Sequence, residues 1–133
     1  MIIDLKEIGI LAADPNVEDL SMTLRWLRDM GLTRVSSATD GLGALIQLKK
    51  NPIQLAVMNW NLPRLSALDI LAELRRIPRF SLPAVILTTD VKPEADLAQR
   101  ATDQGIGGFL MKPYTARDLL RKVEATLGVS FGL

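Results

Sequence analysis

Two hydrophobic periods alternate along the chain. Ile8-Gly9-Ile10-Leu11-Ala12-Ala13 is a short continuous apolar run, and so are Leu55-Ala56-Val57-Met58 and Ala84-Val85-Ile86-Leu87; each ends at polar or turn-forming residues. Short runs that are apolar at every position predict strands buried on both faces of a parallel sheet. Arg34-Val35-Ser36-Ser37-Ala38 and Gly108-Phe109-Leu110-Met111 are two weaker strand candidates. Between the runs the spacing turns helical. Asn16 can cap a helix through about Met30, closed by Gly31, with Leu20, Leu24 and Leu27 on one stripe. Asp40 can cap Gly41 to Lys50, whose apolar face reads as Leu42, Leu45, Ile46 and Leu48. A third helix is predicted from about Ser66 to Arg76, stopped by Pro78. Pro93 fits the first turn of a fourth helix reaching Asp103, because its missing N–H has no partner there anyway. Thr115 with Asp118 resembles a capping box for a fifth helix ending near Leu127. The chain thus reads as a βα unit repeated five times. That predicts an α/β fold with a parallel sheet and helices on both faces. Ligand sites in such sheets lie beyond the carboxyl ends of the strands.

Composition narrows what those ends can do. The 133 residues form one domain with a core from about residue 8 to 127, since single domains run to ~100–200 residues. Apolar residues make up 48% and charged residues 23%, the balance of a folded chain rather than a disordered one. Sixteen basic residues against fifteen acidic ones leave a net charge of +1, which gives no electrostatic reason to expect nucleic-acid or membrane attachment. There is no Cys, hence no disulfide framework, thiolate nucleophile or thiolate metal site. There is no His either, which removes the commonest general base and the commonest transition-metal ligand. A hydrolase or zinc enzyme is therefore not expected, and the reading is of a non-enzyme. Met1 to Glu7 carries acids where a signal peptide wants basic residues. No apolar run approaches the ~18 residues of a membrane span. The expectation is a soluble, cytoplasmic protein.

The residues after each strand are Asp14-Pro15, Asp40-Gly41, Asn59-Trp60-Asn61-Leu62-Pro63, Thr88-Thr89 and Lys112-Pro113. In this order and on five βα units, they make the chain, from about Ile8 to Leu127, resemble the receiver domain of bacterial two-component response regulators, the chemotaxis CheY type. The resemblance implies a flavodoxin-like sheet of order 2-1-3-4-5. It also implies a site in which an acidic pair after the first strand and an Asp after the third hold Mg²⁺, and the third-strand Asp accepts a phosphoryl group. Matched motif by motif, Asp14 is one member of the acidic pair and Pro15 stands in the place of the other. Asn59 occupies the phospho-acceptor position, Thr88 the hydroxyl position, Lys112 the cationic position and Phe109 the place of the switch aromatic.

The departures from that pattern change the chemistry. A carboxylate can form an acyl phosphate; the Asn59 amide delocalises its nitrogen lone pair, carries no charge and cannot. Mg²⁺ is held by carboxylates and waters, and two of the three expected carboxylates are missing. Three acids with the lysine give −2, whereas Asp14 with Lys112 gives zero. Unit charges ~4 Å apart interact by ~4 kcal/mol at an effective dielectric near ~20, so each absent carboxylate is a large loss to a divalent cation. Weak or absent Mg²⁺ binding, and no cofactor, is the expectation. Ala67 replaces the glycine the family has after the third strand and resists positive φ, and Thr89 replaces a smaller residue. Both point to an entrance no longer shaped for phosphate, a degenerate or pseudo-receiver.

Plainer readings stand beside these. Asp14 with Lys112 also reads as a partly buried ion pair that organises loops, Thr88 as a strand end, Phe109 as core packing and Asp40-Gly41 as a turn and helix cap. Arg75, Arg76 and Arg79 read either as a cyclic-dinucleotide or other anionic-nucleotide site, or as cations complementing a helix C-terminus. A flavodoxin-type redox carrier needs a hydroxyl- and Gly-rich phosphate loop that Ala12-Ala13-Asp14-Pro15-Asn16 lacks. Phosphorylation at another acceptor, Thr88 or Asp14, is a further reading. The leading expectation is a stand-alone receiver without an output domain, acting through protein contacts. The surface from about Lys92 to Leu127 is the docking face for a histidine kinase, phosphotransfer protein, flagellar motor component or second copy.

Overall fold

The computed structural model describes residues 4–132; Met1, Ile2, Ile3 and Leu133, which the sequence reading includes at the two ends, lie outside the described residues. Five strands, β1 (Gly9–Ala13), β2 (Arg34–Ala38), β3 (Leu55–Asn59), β4 (Ala84–Thr89) and β5 (Gly108–Met111), alternate with five helices. These are α1 (Val17–Asp29), α2 (Gly41–Lys50), α3 (Ala67–Arg75), α4 (Ala95–Asp103) and α5 (Ala116–Leu127), after a 3₁₀ turn at Leu5–Glu7. The sheet is wholly parallel, in the order β2-β1-β3-β4-β5.

The three continuous apolar runs are the three central strands. Consecutive side chains leave a strand on opposite faces, so each run feeds two cores. Ile10, Ala12, Leu55, Val57 and Ile86 pack with Leu20, Leu27, Leu119 and Val123 of α1 and α5. Leu11, Ala13, Ala56, Met58, Val85 and Leu87 pack on the other face with Ala44 and Leu48 of α2, Ile70, Leu71 and Leu74 of α3 and Ala101 of α4. The two weaker candidates, β2 and β5, are the sheet edges, where burial is partial and the apolar signal fades accordingly.

Local chemistry sets the helix ends. Asn16, Asp40, Ser66 and Thr115 each accept a hydrogen bond from the backbone N–H three residues on. Ser66 with Asp69 and Thr115 with Asp118 form complete capping boxes. Gly128 closes α5 in the left-handed conformation that only glycine adopts without strain.

Three expectations change. The buried face of α2 is Gly41, Ala44 and Leu48, with Leu45 partly buried, while Leu42 and Ile46 are 41% and 59% exposed. The small residues explain the rotation: a Cβ on Gly41 would collide with the backbone of Leu65, so the helix seats its glycine, and not its leucine, against the β3–α3 connection. Pro93 lies ahead of α4 rather than in its first turn, because Glu94 is extended and caps the helix without a side-chain hydrogen bond. Ala67 is not strained, since it is the first residue of α3, buried; the left-handed backbone of that connection falls on Arg64, at φ 74°.

Candidate functional site

The parallel register brings the carboxyl ends of β1, β3, β4 and β5 to one edge. Asn59, the last residue of β3, is in register with Thr88 of β4, and Thr89 with Met111 of β5. Backbone bonds continue beyond the strands and fix the loops: Trp60 N–H donates to the Thr88 carbonyl at 2.9 Å, Lys112 N–H to Thr89 at 2.7 Å and Asp14 N–H to Ala38 at 3.1 Å. Asp14, Asn59, Thr88 and Thr89 are all buried, and Lys112 keeps only 13% of its side chain exposed.

These residues divide into two hydrogen-bonded groups. In the first, the Asn59 side-chain oxygen accepts from the Asn61 backbone N–H at 3.0 Å, and its NH₂ group donates to the Thr88 hydroxyl at 3.5 Å. Both polar ends of the amide are engaged, and the second contact uses the hydrogens that distinguish Asn from Asp. In the second group, the Lys112 ammonium donates to Asp14 at 2.7 Å and Asp19 at 2.8 Å, with Asp90 at 3.9 Å. The other Asp14 oxygen accepts from the Asn16 backbone N–H at 2.9 Å.

The charge balance is thus not the neutral pair expected from sequence: three carboxylates surround one ammonium, leaving −2. Asp19 and Asp90 had no motif to announce them. The only sequence signal for Asp19 is its place in the first turn of the helix that follows Asp14, which aims it back at the strand edge. Burial alone would lower the Lys112 pKa, but the hydrogen bonds and charges of Asp14 and Asp19 outweigh it and raise the value above 10.5.

A Mg²⁺ ion does not suit this donor set. The Asn59 amide is uncharged and Pro15 offers no side-chain donor, while Asp14 already holds an ammonium on one oxygen and a backbone N–H on the other. Among the described residues no three acidic side chains are arranged to hold a metal. Thr89 is buried with its hydroxyl lacking a hydrogen-bond partner. Phe109 is half-buried against the α2–α4 core.

Beside Lys112 lies a cleft of about 360 Å³ lined by Asp19, Met22, Thr23, Asp90, Pro113 and Tyr114, which sequence reasoning did not anticipate. The Thr23 and Tyr114 hydroxyls share a hydrogen bond of 2.6 Å, and the Tyr114 ring meets Trp26 edge-on with centroids 6.0 Å apart. Burial raises the Tyr114 pKa above 10.0.

The basic residues at the end of α3 make surface contacts. Arg75 donates to the carbonyl and side chain of Gln104, the residue that caps the C-terminus of α4, and Arg76 pairs with Glu73 at 3.4 Å. Asp40 caps α2 through Gly43 N–H at 2.7 Å, the turn-and-cap role expected of it.

Known proteins share the fold and much of the sequence. The family model of the response regulator receiver domain matches residues 10–124. The chemotaxis protein CheY-3 of Vibrio cholerae is 32% identical over 120 residues, which cover 90% of this chain and 91% of that protein. The chemotaxis protein CheY of Pseudomonas aeruginosa is 34% identical over 99 residues, 74% of this chain and 78% of that one. Among solved structures, the chemotaxis response regulator CheY4 of Vibrio cholerae superposes with a TM-score of 0.79 at 21% identity, covering 90% of this chain and 98% of that one. Fold and sequence agree: the chain belongs to the response regulator receiver domain family of two-component signalling.

Proposed function

We propose that this receiver domain signals through protein contacts without being phosphorylated at the acceptor position. The observation that carries this reading is the Asn59 side chain: a buried amide, hydrogen-bonded at both ends, stands where the family's chemistry needs an ionised carboxylate. The domain then performs no catalytic step of its own and works in the cytoplasm by occupying a partner.

The docking face is the surface from about Lys92 to Leu127. It carries a cleft of about 310 Å³ lined by Phe109, Leu110, Asp118, Arg121, Lys122 and Ala125, next to Met111, whose side chain is 54% exposed. Apolar Phe109 and Leu110 beside charged side chains of both signs suit a short amphipathic segment of another protein. The chemotaxis names of the curated relatives favour a histidine kinase, phosphotransfer protein or flagellar motor component, or a second copy of the chain, as that protein. A sensor for a cyclic dinucleotide is the weaker reading, since Arg75 is engaged with Gln104 at the end of α4 and Arg76 pairs with Glu73.

Incubation with acetyl phosphate and Mg²⁺ followed by intact-mass measurement tests the reading. The expected result is an unmodified chain that still captures its partner in a pull-down. A stoichiometric phosphoryl adduct overturns it.

A further inference from the structure

The carboxylates around Lys112 come from three separate parts of the fold: Asp14 after β1, Asp19 in the first turn of α1 and Asp90 after β4. Their exposure is graded. The Asp14 side chain is 7% exposed, Asp19 33% and Asp90 74%, so the ammonium is held from the inside outward. A carboxylate as buried as Asp14 is stable in the folded chain only with a partner, and the partner it has is Lys112. An ammonium carries three N–H donors. Asp14 and Asp19 take two at full hydrogen-bond length, and Asp90 stands within charge-pairing distance of the same nitrogen.

Such a shell is the coordination environment of a cation, supplied by the chain to itself. A divalent ion on Asp14 would need an oxygen at ~2.0–2.6 Å where the ammonium now stands at 2.7 Å, so the ammonium would have to move off Asp14 for the ion to bind. The Lys112–Asp19 bond also joins residues 93 positions apart, tying α1 to the β5–α5 connection.

We propose that the Lys112 ammonium is the resident counter-ion of this strand-end site, with Asp19 and Asp90 as the positioning residues that hold it on Asp14, so that the site keeps its shape without a divalent cation. In this arrangement the lysine is engaged with α1, while Asn59 is engaged with Thr88 and Asn61. The site is therefore closed on itself before any partner arrives. The inference concerns the free domain and does not depend on which protein it binds.

The test is ¹⁵N NMR of the wild-type chain. A held ammonium exchanges its protons slowly and gives a resolved Lys112 Nζ resonance; exposed lysines do not. We expect that resonance, and we expect millimolar Mg²⁺ to leave it and the backbone amides of Asp14, Asn59 and Lys112 in place. Asp19→Asn should broaden or abolish the resonance while the amide spectrum stays folded. Absence of the resonance in wild type, a saturable Mg²⁺ shift of those amides, or an unchanged resonance in Asp19→Asn overturns the proposal. A thermodynamic cycle adds a readout that purely structural packing would not move. Lys112→Met strands the Asp14 carboxylate, so adding Asp14→Asn should recover melting temperature; a further loss in the double variant also overturns it.

Discussion

At the scale of single residues, what governs the strand-end site is whether each buried polar group has a partner. The Thr23 hydroxyl has one in Tyr114, whereas the Thr89 hydroxyl has none. The same substitution should therefore act in opposite senses. Thr23→Val removes the hydrogen bond to the half-buried Tyr114 hydroxyl and is expected to destabilise by about 0.5–1.5 kcal/mol, while Thr89→Val keeps the shape, removes an unpaired group and is expected to hold or raise the melting temperature. Calorimetric melts of the two variants decide it; equal losses would show that the hydroxyl partners do not matter. Two alkaline titrations belong to this scale as well. The Lys112 pKa is raised above 10.5 and that of Tyr114 above 10.0. Both raised values mean a contribution to stability that is complete below the unfolded-state pKa and is lost as the pH climbs through the folded one. The melting temperature should hold level from neutral pH to about 10 and fall beyond it. Lys112→Met should flatten part of that fall, and a curve equally steep in the variant would assign the loss elsewhere.

At the scale of elements, helix starts are local events and can be tested locally. Thr115 and Asp118 complete a capping box at the start of α5, and Ser66 and Asp69 at the start of α3. Removing either hydroxyl, as Thr115→Ala or Ser66→Ala, should cost about 1 kcal/mol in denaturant unfolding, a typical loss for such a cap. Hydrogen bonds from the Thr115 backbone and side chain hold the Asp118 carboxyl below its usual 3.8. Its contribution is present above 3.8 and disappears as the pH drops through the lowered folded value, so the Thr115→Ala penalty should shrink in acid. The α5 cap was legible because a Thr and an Asp three apart are a pattern within one turn. The face of α2 was not, although Gly41, Ala44 and Leu48 are just as visible in the sequence. Apolar spacing alone favours Leu42 and Ile46. The contact that seats Gly41 against Leu65 comes from a segment more than a full helix away.

At the scale of the whole molecule, the chemistry of the strand-end edge is a property of several loops together. On the proposed reading Asn59 is one of several departures there, with Pro15 in the place of a second carboxylate, and Lys112 is engaged with Asp14 and Asp19. Restoring the acceptor alone should therefore not restore the reaction. Asn59→Asp is expected to stay unmodified by acetyl phosphate and Mg²⁺ in intact-mass measurement, and Asn59→Asp combined with Pro15→Asp to accept a phosphoryl group. Labelling of the single variant would mean that the remaining geometry is still competent and that the amide alone silences the site.

The order of strands and helices, the caps of α1, α2 and α5, the two-sided burial of β1, β3 and β4, and the uncharged amide that ends β3 were all determined by the sequence itself. Each is written in interactions between residues a few positions apart, or in the chemistry of one side chain. Tertiary structure alone decided which acids surround Lys112, that Arg75 caps the end of α4 and that Asn59 pairs with Thr88. Those partners meet only when the parallel register brings distant strand ends and helix termini together. Asp14 was recognised because it sits in a motif; Asp19 was missed because its contact with Lys112 exists only once α1 and β5 have folded against the same sheet.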